Sequence, residues 1–204
     1  MGRCVIVGSA DIINLDKVKS YIKDDDFIVF CDGGLRHKEE LGLKVDYIVG
    51  DFDSYEKPEN VENILILPTV KDDTDTVAAV KLMLEKGFKD FLIIGAIGQR
   101  LDHSLGNVSI LIYLKENAAN GVIVDDYSEM KLITGEEIIL KDSFSYFSII
   151  SLDKCLKGVY ISGAKYPLEN AVIENSYQYG ISNEPTNDTK IKVNEGNALL
   201  IKVF

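Results

Sequence analysis

Residues 74–95 read TDTVAAVKLMLEKGFKDFLIIG. Val77, Val80, Lys81 and Leu84 recur at helical spacing, Thr74 or Asp75 is placed to cap the start, and Gly87 marks the stop. Residues 91–94 then form a short apolar run of strand type that ends on Gly95. A capped helix leading directly into a buried strand is the repeating unit of an α/β protein. Working outward, similar runs occur at 4–7, 27–31, 47–49 and 64–67. Leu15, Val18 and Ile22 form a second helical stripe, and Leu105, Val108, Leu111 and Ile112 form a third, behind Asp102 or Ser104 as cap. Up to about residue 118 the pattern therefore predicts a mainly parallel, doubly wound (Rossmann-like) sheet with helices on both faces.

Beyond residues 122–124 the helical spacing disappears. Residues 131–133, 138–140, 146–150, 159–161, 171–174 and 199–203 read as short strands separated by Gly, Asn, Asp and Pro, the pattern of a small all-β antiparallel sandwich. The expected division is residues 1–126 and 127–204. The second part is small for an independent core, so docking on the first domain or on a second copy is expected. The Asn-rich stretch 183–187 reads as a mobile turn, or as a segment that closes over a ligand.

The chain of 204 residues is 46% hydrophobic and 27% charged, which is globular rather than disordered composition. Its formal net charge of −11 argues against a nucleic-acid partner, which needs clustered Lys and Arg, and against an anionic membrane surface. The acid excess is uneven: residues 1–126 carry a net −9 and the remaining 78 residues a net −2. Three dispersed cysteines (Cys4, Cys31, Cys155) and two histidines (His37, His103) form no zinc or disulfide framework, and a reducing cytoplasm is expected. Cys4 and Cys31 fall inside apolar runs and read as small core residues. The N-terminus enters such a run at once, with no basic leader, so no signal peptide is expected. No apolar stretch reaches the length that spans a bilayer.

In an open parallel sheet, ligands bind outside the carboxyl ends of the strands. Four runs in succession end on polar or glycine-rich segments: Asp32-Gly33-Gly34, Gly50-Asp51-Phe52-Asp53-Ser54, Lys71-Asp72-Asp73-Thr74-Asp75, and Gly95 through Gly98-Gln99-Arg100-Leu101-Asp102-His103. Glycines, carboxylates and a few cations gathered at one sheet edge suit a polyphosphate bound with Mg²⁺, which takes carboxylate, phosphate and water oxygens. Asp51 and Asp53, two apart, project to one face of an extended segment. Gly33, Gly34, Gly95 and Gly98 let a backbone approach phosphates, the helix N-termini after Thr74 and Asp102 add N–H donors, and Lys71 and Arg100 supply positive charge. Neither a GxxxxGK[ST] loop nor a GxGxxG fingerprint is present. A calcium loop starting at Asp51 is excluded, because Glu56 occupies the position whose sharp turn requires glycine.

In this order the motifs resemble the thiamine pyrophosphokinase family, most specifically in Gly50-Asp51-Phe52-Asp53-Ser54 and Arg100-Leu101-Asp102-His103. The likeness continues with Gly163-Ala164-Lys165-Tyr166-Pro167-Leu168 and Gly180-Ile181-Ser182-Asn183. Two departures stand out. The family often continues Asp-Gly-Gly with Ala-Asn where this chain has Leu35-Arg36, and Tyr166 stands where many members carry Trp.

The resemblance implies transfer of the diphosphate of ATP to the hydroxyl of thiamine, giving thiamine diphosphate and AMP. It implies a homodimer with active sites between subunits. Asp51, Asp53, Asp75 and Asp102 would hold Mg²⁺, and Arg100 would act with them in catalysis. Asp32, Gly33, Lys71, Asp72, Thr74, Gly95, Gly98 and Arg100 would contact ATP, and Tyr166, Ser182 and Asn183 would contact thiamine. The alternatives are a metal-dependent phosphatase with Asp51 as nucleophile, and a non-catalytic module that senses nucleotide or thiamine diphosphate.

Overall fold

The structure, a computed structural model, describes residues 2–51, 63–68, 73–139 and 144–204, with Glu136 and Asn187 described by their backbone alone. The chain divides into two compact units, Met1–Asp126 and Tyr127–Phe204.

The first unit alternates strands with helices: β1 (Cys4–Val7), α1 (Leu15–Lys19), β2 (Phe27–Cys31), a 3-10 helix (Asp32–His37), α2 (Lys38–Leu41), β3 (Tyr47–Gly50), β4 (Ile64–Ile66), α3 (Asp75–Glu85), β5 (Asp90–Ile94), α4 (Leu101–Glu116) and β6 (Asn120–Val124). Its strands lie in the order β6-β5-β1-β2-β3-β4, and every pairing between them is parallel. β1 is buried along its whole length, as a central parallel strand covered on both faces must be, which explains its unbroken apolar run. Pleat alternation splits the side chains. Val5, Val7, Ile28, Phe30, Ile48, Leu92 and Ile94 form one cluster with Val18 of α1 and Leu41 of α2. No residue of α3 or α4 belongs to that cluster; α3 packs on β1, β2 and β3, and α4 on β6.

Local chemistry sets the helix ends. Thr74 caps α3, its Oγ1 accepting from the Val77 N–H at 3.3 Å, and Gly87 follows the helix with φ of +94°. α1 stops at Lys19, so Ile22 packs against the core from beyond the helix. α4 differs from expectation. It starts at Leu101 without a side-chain cap, and its buried face is Ser104, Asn107, Ile110, Leu111 and Leu114, while Leu105 is exposed. Its first turns meet polar backbone rather than the apolar core, so hydrogen-bonding side chains face inward there.

Among the described residues the second unit has five strands, not six short ones: β7 (Ser128–Ile139), β8 (Tyr146–Ser151), β9 (Cys155–Ala164), β10 (Leu168–Glu174) and β11 (Pro185–Val203). All pairings among them are antiparallel. The runs at 131–133 and 138–140 merge into β7, of which Leu140 lies outside the described residues. Residues expected in a mobile turn instead lead into β11, where Pro185 pairs with Ala164. The glycine read as a separator, Gly135 (φ +82°), sits inside β7, opposite the register shift between Val193 and Ala198 of β11. A bulge bends a strand without ending it, which the pattern of separators conceals. The bend lets β11 serve two partners in turn, β9 along its first half and β8 along its second. The strands enclose one core that includes Phe147, Ile149, Leu156, Val159, Ile161, Ile173, Ile191 and Leu200.

Asn183 is buried and ties two chain segments together. Its Oδ1 accepts from the Tyr166 N–H at 3.0 Å, and its Nδ2 donates to the Tyr166 carbonyl at 2.7 Å. Two losses of stability are expected in urea titrations. Phe147→Ala, which removes a fully buried ring set edge-on to Phe144, should cost about 3–5 kcal/mol. Asn183→Ala, which leaves peptide groups of Tyr166 unpaired, should cost about 1–3 kcal/mol.

Candidate functional site

β2 and β3 are neighbours, with Cys31 opposite Val49, so the residues that follow them emerge side by side. Asp32 leaves β2 into the 3-10 helix and is 4% exposed. Asp51 follows β3, and Asp75 opens α3. A Cβ at Gly50 would come within 2.6 Å of the Asp32 Cβ, so glycine there makes room for the buried carboxylate. Carboxylate oxygens of Asp32, Asp51 and Asp75 lie within 4.8 Å of one another. Three carboxylates this close repel, and a hard divalent cation with oxygen preference relieves the repulsion.

Beside this group, the sheet order reverses direction between β1 and β5: from β1 the chain builds toward β4, and from β5 toward β6. A crevice at such a switch point is the general ligand position of open α/β sheets. A cleft of about 340 Å³ lies there. Ser9, Ala10 and Asp11, which follow β1, line it together with Gly95, Gly98 and Arg100, which follow β5. Thr76, the residue after Asp75, also lines it and joins the cleft to the carboxylates. Gly95 has φ of +59°, and a Cβ there would fall 2.5 Å from the Gly8 carbonyl oxygen, so no side chain is tolerated where the two strand ends cross.

The polar face of α4 secures the far wall. Ser104 Oγ accepts from the Gly98 N–H at 3.0 Å, and Asn107 Nδ2 donates to the Ala96 carbonyl at 2.8 Å. Arg100 and Asp102 form a bidentate pair, Nη2 to Oδ2 at 2.6 Å and Nε to Oδ1 at 3.1 Å. The guanidinium's hydrogen bonds hold the Asp102 carboxyl at about 2, well below the usual carboxylate range. The near wall is secured by His37, whose Nε2 donates to the Ala10 carbonyl at 2.8 Å. Burial lowers the His37 pKa, which favours the neutral ring.

Of the expected metal ligands, the structure brings Asp51 and Asp75 together and adds Asp32, which was expected nearer the nucleotide. Asp102 lies outside this group, because its two-residue spacing from Arg100 makes a local pair. Asp53, Lys71 and Asp72 lie outside the described residues. Gly95 and Gly98 line the cleft, Gly33 lies against Ser9, and Thr74 serves as the α3 cap. In the second unit, the Tyr166 ring is exposed with Lys165 Nζ 5.5 Å from its centroid. Ser182 is exposed with φ of +57°, and both polar atoms of the Asn183 amide bind backbone.

Sequence reading missed Ser9, Asp11, Arg36 and Asn107. The signal was available for the first two, since Asp11 follows β1 as the other site residues follow their strands. Asn107 was also legible, three residues after Ser104 and four before Leu111 on one helical face. Arg36 had no such signal, because only the path of the 3-10 helix carries it to the cleft.

Two family models match the chain: the thiamin pyrophosphokinase catalytic domain over residues 18–123, and the thiamin pyrophosphokinase vitamin B1 binding domain over residues 136–200. The thiamine pyrophosphokinase of Bacillus subtilis is 32% identical over 143 residues, covering 66% of this chain and 67% of that protein. A crystal structure of thiamine pyrophosphokinase from Bacillus subtilis superposes with a TM-score of 0.88 at 24% identity, over 99% of both chains. The enzyme from Candida albicans superposes with a TM-score of 0.78 at 19% identity, over 99% of this chain and 86% of that one. With both units matched in order and the fold shared along the whole chain, the chain belongs to the thiamine pyrophosphokinase family.

Proposed function

We propose that the first unit binds ATP with Mg²⁺, the nucleotide in the cleft between the ends of β1 and β5 and the cation at Asp32, Asp51 and Asp75. The reaction is that of the family: transfer of the diphosphate of ATP to the hydroxyl of thiamine, giving thiamine diphosphate and AMP. The observation that carries the site is the convergence of three carboxylates within 4.8 Å beside a cleft of nucleotide size. The three carboxylate oxygens are the hard donors that Mg²⁺ prefers. Bound there, Mg²⁺ would supply charge neutralisation for the phosphate oxygens of ATP.

The chain's own groups do the rest. Thr74 and the start of α3 fix Asp75, and Gly50 leaves the space that Asp32 fills. Arg100, paired with Asp102, offers its remaining guanidinium N–H groups to phosphate oxygens, Lys71 would add positive charge, and Asp72 would contact ATP away from its phosphates. Asp53 and Asp102 would complete the acidic set through bound water. In the second unit, the exposed Tyr166 ring would pack on a thiamine ring, Ser182 would make a polar contact, and Asn183 would act by holding the Tyr166 backbone. We read the first unit as a doubly wound, Rossmann-like sheet and the second as a sandwich, supported by the helix clusters and by the shared core of β7–β11.

The small second core supports a homodimer with sites between subunits. Cys4, Cys31 and Cys155 form no disulfide, as suits the reducing cytoplasm where we place the enzyme. Among the described residues no helix is long and apolar enough to cross a membrane.

Incubation with Mg²⁺, ATP and thiamine should yield AMP and thiamine diphosphate in equal amounts, and EDTA should abolish both until Mg²⁺ is restored in excess. Release of inorganic phosphate without AMP would point to a phosphatase instead. Asp51→Asn should lower kcat by about a hundredfold or more, each tenfold being about 1.4 kcal/mol of barrier. Unchanged turnover in Asp51→Asn would remove that residue from the site.

A further inference from the structure

Arg36, with Leu35, stands where the family often carries Ala-Asn, and it lines the cleft. The 3-10 helix that carries it is drawn under the end of β1: a Cβ at Gly34 would lie 2.2 Å from the Val7 carbonyl oxygen. Arg36 Nη2 donates to the Ser9 carbonyl and, at 2.6 Å, to Asp11 Oδ1. The wall it grips is anchored both within that grip and beyond Asp11. His37 binds the Ala10 carbonyl, and Asp126 Oδ1 accepts from the Ile13 and Asn14 N–H groups at 2.9 and 2.7 Å. The guanidinium is thus held through Nη2. Nη1 makes no hydrogen bond among the described residues, and the side chain remains 42% exposed. A guanidinium held through Nη2 in the lining of a cleft, with Nη1 still able to donate, is preorganised for an anionic oxygen.

We propose that Arg36 binds the α-phosphate of ATP and stabilises it as AMP departs, an inference that rests on the reading of the cleft as the nucleotide site. The β- and γ-phosphates belong beside Asp32, Asp51 and Asp75, where the cation would sit. Thr76 connects that group to the cleft, so the phosphate that enters the cleft first is the α-phosphate. In the transfer, the thiamine hydroxyl oxygen bonds to the β-phosphorus and its proton is released to solvent. The bond from the β-phosphorus to the bridging oxygen breaks, and its electron pair stays on AMP. The α-phosphate thereby goes from one negative charge to two. A fixed cation facing it gains attraction as that charge develops, which lowers the barrier rather than merely aiding binding. Arg100 is tied to Asp102 through both Nε and Nη2 on the opposite wall, so the two arginines bracket the cleft.

The test compares AMP with adenosine by calorimetric titration, for wild type, Arg36→Gln and Arg36→Lys. Arg36→Gln should weaken AMP about tenfold or more and leave adenosine unchanged, and kcat should fall by a larger factor than KM for ATP rises. Arg36→Lys, which keeps the charge but loses the fork, should recover part of the AMP affinity. Equal weakening of AMP and adenosine, or an unchanged AMP affinity, would overturn the proposal, the first outcome showing that Arg36 only braces Ser9 and Asp11. Wild-type protein that makes no AMP from ATP and thiamine would overturn the reaction, while the AMP-against-adenosine comparison, which needs no turnover, still judges Arg36.

Discussion

The first unit depends on how closely the ends of β1, β2 and β5 pass one another. A Cβ at Gly8 would stand 2.4 Å from the Gly95 carbonyl oxygen, and one at Gly95 would stand 2.5 Å from that of Gly8. No side chain fits at this crossing. Because the backbones touch, Gly8 N–H donates to the Ile94 carbonyl and Ala10 N–H to the Gly95 carbonyl, both at 2.8 Å. These bonds extend the β1–β5 pairing past the ends of the strands and form the floor of the cleft. A larger residue at either position would pry apart the two walls on which Arg36, Arg100 and Asn107 are mounted. The glycines at strand ends therefore serve the packing of the fold first, and the cleft is a consequence of that packing.

The acidity of the first unit divides into two kinds. Asp26 is 1% exposed and belongs to structure: it accepts from Arg3 Nε and Nη2 and from the Lys23 N–H. Such a buried carboxylate is compensated locally, as burial of charge demands. Asp32, Asp51 and Asp75 instead bring carboxylate oxygens within 4.8 Å of one another, where the ends of β2 and β3 and the start of α3 place them. Cys4 illustrates the opposite case: burial pushes its thiol far up, which fits an inert core residue in β1.

Legibility varied with how local the deciding interaction was. The α3 boundaries could be read from Thr74 and Gly87 because capping is settled within one turn of chain. The strand ends could be read because apolar runs stop where burial stops. The buried face of α4 could not be read from hydrophobicity, since Ser104 and Asn107 face the backbone of residues 96–100 while Leu105 faces outward. Gly135 looked like a terminator but is a bend inside β7, because whether a glycine ends a strand depends on its partner strand. The grouping of Asp32 with Asp51 needed the adjacency of β2 and β3, and the pairing of Asp102 with Arg100 needed the geometry of the first turn of α4.

By itself the sequence determined the alternation of strand and helix, the change to an all-β second part, the capping of α3, and the supply of carboxylates and glycines at strand ends. Those features follow from periodicity, turn chemistry and charge, which act over a few residues. Only the tertiary structure decided which carboxylates converge, that the cleft opens between β1 and β5, and that Arg36 reaches it. The order of strands in a sheet joins segments far apart in the chain. It is settled by which buried faces pack together, a constraint that no short stretch of sequence carries.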